Sequence, residues 1–519
     1  MTTSQEPEHV WGAHAPQAIT EVETFGIETI PAEDRTASPF DLFRVAFGGA
    51  NTFATVVLGA FPVLVFGLGF WDAILAALLG IVVGGLILMP MALFGPINGT
   101  NNAVSSGAHF GVVGRIVGSF LALLVAIAFF AISIFTSGDI LVGALDDLFG
   151  TGRSDALVAV AYALFAVAIL VICIYGFRFM LAVNKVAVLT ATLLYLVGAI
   201  AYGPDLDTSY SGFSEGAAFT PAFIGSALLV LSNPLSFGAY LGDWSRYIPA
   251  TASRGKLMLA AFCSQLATVV PFVFGIATAT VIATKSPAAA EAVDYAGGLV
   301  DVTPGWFLVP VVIIAIIGGL STGTTSLYGT GLDFSSVFPR LSRVQSTILI
   351  GIVAIAVVFL GRFALDFVQT IVTFATLIIV CTTPWVVIMT IGFVSRRGYY
   401  LPDHLQVFNR GQRGGAYWFS GGINWRAMAA WLVSALTGVL FVNLPGQFEG
   451  PLRSVAEDAG ITGLAGVDVS LLVAIALAAI LYTAMLVLFP EPRAVYGERG
   501  PRFFRASPGT GAPIVARER

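Results

Sequence analysis

The feature that most limits how this chain can fold is a series of apolar runs, each about twenty residues long and nearly free of charge, recurring from Leu42 to Phe489. A helix of that length crosses the roughly 30 Å hydrocarbon core of a bilayer with its backbone bonded internally. Such runs lie at about 42–66, 71–94, 115–138, 156–176, 183–203, 221–241, 257–283, 305–331, 344–361, 364–390, 428–445 and 469–489. Turns at Gly67-Leu68-Gly69 and at Gly361-Arg362 would separate the two closest pairs. The expected fold class is all-α: a polytopic membrane protein with twelve transmembrane helices. Composition agrees, with 11% charged residues against about 25% in soluble domains and a mean hydropathy of +0.89.

Charge orients these spans. With the amino terminus in the cytoplasm, 21 of the 25 lysines and arginines fall in cytoplasmic segments, leaving only Arg153, Lys285, Arg362 and Arg453 outside. That is the bias of the positive-inside rule, and an odd error in the helix count would scramble it. The expectation is a multi-pass cell-membrane protein with both termini cytoplasmic: a tail over 1–41, a loop over 391–427, two final helices within 428–489 and a tail over 490–519. The acidic start (Glu6, Glu8, Glu21, Glu23) lacks the basic, apolar form of a signal peptide.

Enzymatic chemistry has no visible seat. His9, His14, His109 and His404 are far apart, and Cys173, Cys263 and Cys381 have no metal-ligand spacing and read as small buried hydrophobes. No extramembrane segment is long enough for a core of its own. The expected partners are the bilayer, a small solute and a monovalent cation, with no cofactor and no nucleic acid.

Transporters commonly bind solutes where helices break at mid-depth, since freed backbone groups are tolerated when they line a cavity. Phe47-Gly48-Gly49-Ala50-Asn51-Thr52 weakens the first span and adds a polar side chain; its alternative reading is tight helix packing. Ser232-Asn233-Pro234-Leu235-Ser236-Phe237-Gly238 breaks the sixth span through a proline flanked by Asn233 and Ser236. Beyond it, Asp243 and Arg246 stand three residues apart, placed to form a gate or scaffold. The eighth span carries Ser321, Thr322, Thr324, Thr325 and Ser326, hard oxygen ligands suited to an alkali cation or, alternatively, bonds between helices. In the third span Phe129 and Ser133 share a face that could stack and edge-bond a flat ring, although in a chain with 40 phenylalanines any one of them more often faces lipid. Asp139, Asp243, Asp333 and Asp366 fall near span ends, which favours sodium over protons.

These segments resemble the nucleobase:cation symporter-1 family, the purine/cytosine permeases, and are most similar to its actinobacterial purine-cytosine permease branch. The resemblance runs from Gly26-Ile27-Glu28 and Ile30-Pro31 through Ser38-Pro39-Phe40-Asp41, Gly95-Pro96 and Ser105-Ser106-Gly107-Ala108-His109-Phe110-Gly111 to about Pro490. Its most specific piece is Tyr240-Leu241-Gly242-Asp243-Trp244-Ser245-Arg246-Tyr247, similar to the family's aspartate-x-serine/threonine-arginine-tyrosine signature.

The resemblance implies a LeuT-like fold: two inverted five-helix repeats, over 42–203 and 221–390, followed by two extra helices. It implies cation-driven import of a nucleobase such as cytosine or a purine, stacked between Phe129 and Phe237, with Gly49, Asn51, Asn233, Ser236 and Ser133 nearby. It implies a sodium (or proton) site built from Gly48, Gly49, Ser321, Thr324 and Thr325, and places His109 in a linker. Where family members often carry tryptophan and an amide in the third span, this chain has Phe129 and Ser133, and a serine offers less to a ring edge. Open alternatives are the same architecture carrying allantoin, hydantoin, uracil or a vitamin ring, an amino acid carrier, or a channel.

Overall fold

The computed structural model describes residues 27–338, 340–364, 367–444, 448–458 and 468–516. The first acidic residues, His9, His14, Gly26, Asp366, Arg517 and Arg519 lie outside the described residues. The fold is an all-α bundle, with, among the described residues, ten helices long and apolar enough to cross a membrane and an eleventh span formed by a bent pair. A shorter apolar helix, Trp425–Leu440, stands where the eleventh run was expected.

The first span is that bent pair. Ser38 starts it through a capping box: Ser38 Oγ accepts from the Asp41 amide and the Asp41 carboxylate accepts from the Ser38 amide, with Pro39 at the first helical position. Helix Pro39–Ala50 stops at Asn51, whose ψ of 65° is not helical. Thr52 then caps Phe53–Leu64, its hydroxyl accepting from the Thr55 amide, and the two halves meet at 58°. The two glycines lie in the last turn before the break.

The sixth span breaks by tightening. Phe219–Ser236 contains Pro234, which cannot donate to the ladder, and passes into a 3-10 turn over Phe237–Ala239 and a short helix Leu241–Ser245. The eighth span, Gly305–Val337, is one unbroken helix lying between the first-span break and the third span, Ile116–Phe149. Gly318 makes this possible: a Cβ there would lie 2.7 Å from the Phe53 amide nitrogen. On the opposite side Ser137 Oγ donates to Ala315 O at 2.7 Å.

Several spans are longer than their hydropathy suggested. The third continues past Gly138, where its apolar run was expected to end, and stops at Phe149, so Asp139 is inside the helix and accepts from Tyr162 OH at 2.8 Å. The fifth, Phe177–Tyr202, begins before residue 183. The ninth, Arg343–Ala364, continues through Gly361-Arg362, where a turn was expected. Isolated glycine and arginine do not stop a helix whose neighbours all favour it.

The fifth span also displays the lipid boundary. Val186, Leu189, Leu193, Leu196 and Ile200, three and four residues apart, are exposed on one face, while Asn184, Ala187, Ala191 and Tyr195 are buried on the other. An apolar face left outward, over a polar and small-residue face turned inward, is the pattern a bilayer demands.

Loop and tail form a joint layer on one end of the bundle. Gln412–Gly415 pairs antiparallel with Ala512–Ala516. Arg396 and Glu491 make a buried ion pair at 2.8 Å, and Asn424 bridges Glu491 to the His109 carbonyl. Gln406 donates to Ile27 O, so both described ends of the chain lie against the same loop, on the same face of the bundle. The two strands are far apart in sequence, and neither carries a pattern that names its partner.

Candidate functional site: a cavity between two broken spans

The two breaks and the eighth span border a small cavity. It is lined by Gly49 of the first span, Phe129 of the third, Ser236, Phe237, Tyr240 and Trp244 of the sixth, and Thr322, Thr325 and Ser326 of the eighth. Its free volume is about 10 Å³, close to what one water needs. A ring therefore enters only if the surrounding helices separate.

On the sixth-span side the wall is aromatic. The Phe237 and Trp244 rings meet edge-on at 5.8 Å, and Trp244 stacks with Tyr240 at 6.1 Å. Tyr240 OH is tied to Ala122 O of the third span at 3.1 Å. Trp244 Nε1 is buried without a hydrogen-bond partner among the described residues, leaving one donor at a cavity otherwise rich in ring faces. The break's own carbonyl is satisfied from elsewhere: Asn102, in the segment after the second span, donates to Gly238 O at 2.8 Å.

On the first-span side the wall is made of oxygens. Ser321 Oγ lies 2.6 Å from Gly48 O and also meets Asn184 Oδ1 of the fifth span. Thr322 Oγ1 donates to Gly49 O at 3.3 Å. A Cβ on Gly49 would lie 3.1 Å from Thr325 Oγ1 and 3.3 Å from the Phe237 ring, so this backbone touches both walls. Among the described residues no three His, Cys, Asp or Glu side chains gather as metal ligands; the oxygens here are carbonyl, amide and hydroxyl.

The expected site residues thus divide. Gly49, Phe129, Ser236, Phe237 and Thr325 line the cavity, and Gly48 and Ser321 meet beside it. Ser133 is buried with its hydroxyl donating to its own helix at Phe129 O, 2.6 Å away, and is not among the lining residues. Asn51 turns toward the fifth span, donating to Thr192 Oγ1 at 3.1 Å. Asn233 is buried next to the proline, and its carbonyl accepts from Ser236 Oγ. Thr324 back-bonds to Ser321 O, and its carbonyl accepts from Cys173 Sγ.

Asp243 and Arg246 are fully buried rather than at a surface. Arg246 donates to Tyr328 OH at 3.0 Å and lies over the Tyr247 ring, while Asn101 donates to Asp333 Oδ1. These groups join the sixth span, the eighth span and the segment after the second. His109 is in that segment, away from the cavity, with Nε2 2.9 Å from Tyr400 OH.

Sequence reasoning missed Tyr240, Trp244 and Asn184, and counted Thr322 only among the eighth-span hydroxyls. Tyr240 and Trp244 follow Phe237 at three and seven residues, one helical face, and that spacing was legible. Asn184, Val188 and Thr192 stand four apart on the fifth span, the stripe that the first-span break leans on.

Irregular backbone in two spans around a common cavity is the arrangement of membrane transporters built on broken helices. A model of the family described as permeases for cytosine/purines, uracil, thiamine and allantoin matches residues 29–466, and the chain belongs to that family. It is 23% identical over 485 residues to the putative purine-cytosine permease YxlA of Bacillus subtilis (strain 168), covering 92% of this chain and 99% of that one. Among solved structures it resembles Mhp1, a nucleobase-cation-symport-1 family transporter, in a closed conformation with bromovinylhydantoin bound: TM-score 0.65, 17% identity, 93% of this chain and 98% of that one. It also resembles an outward-open Na+-coupled sialic acid symporter, with TM-score 0.56, 14% identity, and coverage of 89% and 92%. The fold is the LeuT-like one expected from the sequence.

Proposed function

We propose that this permease imports a nucleobase, cytosine or a purine, coupled to inward flow of sodium by alternating access. The observation that carries this reading is the cavity's two unlike walls: ring faces on the sixth-span side, and neutral oxygens freed by the first-span break on the other. Phe129 and Phe237 would hold the ring by stacking, with Trp244 Nε1–H as a donor at its edge and Ser236 Oγ, whose proton goes to Asn233 O, as an acceptor only. Gly48 O, Gly49 O, Ser321 and Thr322 would hold the cation, with Thr325 close to both ligands. Hard neutral oxygens suit an alkali ion, and none of them takes up a proton near neutral pH.

Gly49 touches both walls, which gives coupling a physical route. Cation binding that fixes the first-span break also fixes one side of the ring's cavity, and the effect is reciprocal. Repeats over 42–203 and 221–390 would rock against each other, with Asp243 and Arg246 in the gate and both termini in the cytoplasm, a reading the distribution of basic residues supports.

Uptake into proteoliposomes tests this. Radiolabelled cytosine, adenine, hypoxanthine, uracil and allantoin would be compared with and without an inward sodium gradient. At least one nucleobase should accumulate above its external concentration, and only with sodium. Equilibration without dependence on any cation would indicate a channel, and accumulation of allantoin alone would move the cargo to another ring.

A further inference from the structure

The fifth span supplies an oxygen that the cation site just proposed does not count. Asn184 is fully buried. Its Nδ2 donates to Met180 O at 3.0 Å, one turn back in its own helix, and this bond fixes which end of the amide is which. Oδ1 is thereby turned toward Gly48 and Ser321. A Cβ on Gly48 would lie 2.7 Å from it, so the amide rests directly on the backbone of the first-span break.

Three oxygens therefore converge: Gly48 O, Asn184 Oδ1 and Ser321 Oγ. Two of the three can only accept, and the serine hydroxyl carries one proton, which can satisfy one acceptor at a time. A buried carbonyl left without a donor is costly. A small monovalent cation removes the conflict, because all three oxygens can face it through lone pairs, with the serine proton turned away.

We propose that Asn184 is a direct ligand of the coupling cation, making the site one of three spans, the first, fifth and eighth. The inference rests on the cation reading above and adds a consequence to it. The ion fastens the fifth span to the first-span break, so its arrival holds, and its departure frees, the fifth span as well as the ring's wall. The fifth span is also where Asn51 is anchored, through Thr192, two turns further on.

The test uses purified full-length protein and sodium itself, without any ring compound. Thermal stability would be titrated with NaCl at constant ionic strength, balanced with choline chloride, for the parent, Asn184→Ala, Asn184→Asp and Ser321→Ala. Asn184→Ala should raise the half-saturating sodium concentration by about ten-fold or more, the lower end of what losing one supporting group costs a metal site. Asn184→Asp has the same shape and adds a charge, so it should lower half-saturation and lose that gain on acidification, as sodium and proton compete for the carboxylate.

If Ser321→Ala loses the sodium response while both Asn184 variants titrate like the parent, Asn184 only packs and the inference falls, with the cation reading intact. If Ser321→Ala also titrates like the parent, the cation reading falls with it. Should Asn184→Ala not fold, the isosteric Asn184→Asp decides: unchanged half-saturation overturns the proposal.

Discussion

The first and sixth spans break on two sides of one cavity and solve the resulting problem differently. At the first break the freed carbonyls of Gly48 and Gly49 accept from hydroxyls of the eighth span, Ser321 and Thr322. Hydroxyls are replaceable partners: they can turn a lone pair to an ion in place of a proton to a carbonyl. At the sixth break Gly238 O accepts from the Asn102 amide, a donor that has nothing to offer a cation at that end. Around it stand rings. The difference teaches that a broken helix is a general device whose cargo is set by what satisfies the freed backbone.

The largest expected effect comes from blocking the close approach between the eighth span and the first-span break, whose backbone borders the cavity shared with the sixth. Gly318→Val places a branched side chain against the Phe53 amide nitrogen, 2.7 Å from the first side-chain carbon, where only backbone could yield. Overpacking of this kind costs about 1–3 kcal/mol. Here it should abolish both sodium-induced stabilisation and ring uptake, measured on protein confirmed to be folded and in the membrane. Loss of one response alone would separate the two walls more cleanly than their shared contact at Gly49 allows.

Phe237→Ala and Ser321→Ala then divide the two breaks. The first should weaken ring binding by about ten-fold or more, since a stacked aromatic contact is worth about 0.5–1.5 kcal/mol beyond its buried area, and leave half-saturation by sodium, measured without ring, unchanged. Ser321→Ala should do the reverse when ring binding is measured at saturating sodium. Isothermal titration of each variant checks both halves, and equal damage to both ligands would break the division of labour.

A smaller change probes the sixth-span wall alone. Trp244→Phe keeps a ring beside Phe237 and removes the buried Nε1 donor. A single neutral hydrogen bond contributes about 0.5–1.5 kcal/mol, so affinity for a base should drop by roughly two- to thirteen-fold, with the sodium response intact. No loss of affinity would mean that Trp244 shapes the cavity without reading the ring's edge.

How much of this was legible in the residues follows the physics of each signal. Apolar length marked the spans, because lipid punishes every exception. Backbone chemistry marked the breaks: Gly48 and Gly49 precede one and Pro234 the other. Partners in space were harder. Asn184 looks like an ordinary polar residue near a helix end until Gly48 lies against it, and Ser133 looks available until its hydroxyl is seen to be used by its own helix. The pairing of Gln412–Gly415 with Ala512–Ala516 left no trace, since short strands carry too few residues to specify a register.

The smallest effect on either ligand lies away from both breaks and serves as their control. His109 is buried in the short helix Gly107–Phe110. Tyr400 OH meets its Nε2, the Phe94 ring stands edge-on to it, and Asn424 holds its carbonyl. Arg396, paired with Glu491, bonds to the neighbouring Ala108 carbonyl. Burial first, and the Arg396 charge second, hold the imidazole well below its ordinary 6.5. A histidine depressed in the folded state is neutral in both states above about pH 6.5, where it contributes no pH dependence. Below that, the unfolded chain takes up a proton that the folded chain refuses, so stability falls as pH falls, by at most about 1.4 kcal/mol per pH unit. Thermal midpoints from about pH 7 to 5 should decline more steeply in the parent than in His109→Gln. Half-saturation by sodium should keep the same pH response in both, since none of the groups proposed to hold the ion touches this histidine; a His109-dependent shift would tie the linker to the cation site and break the separation drawn here.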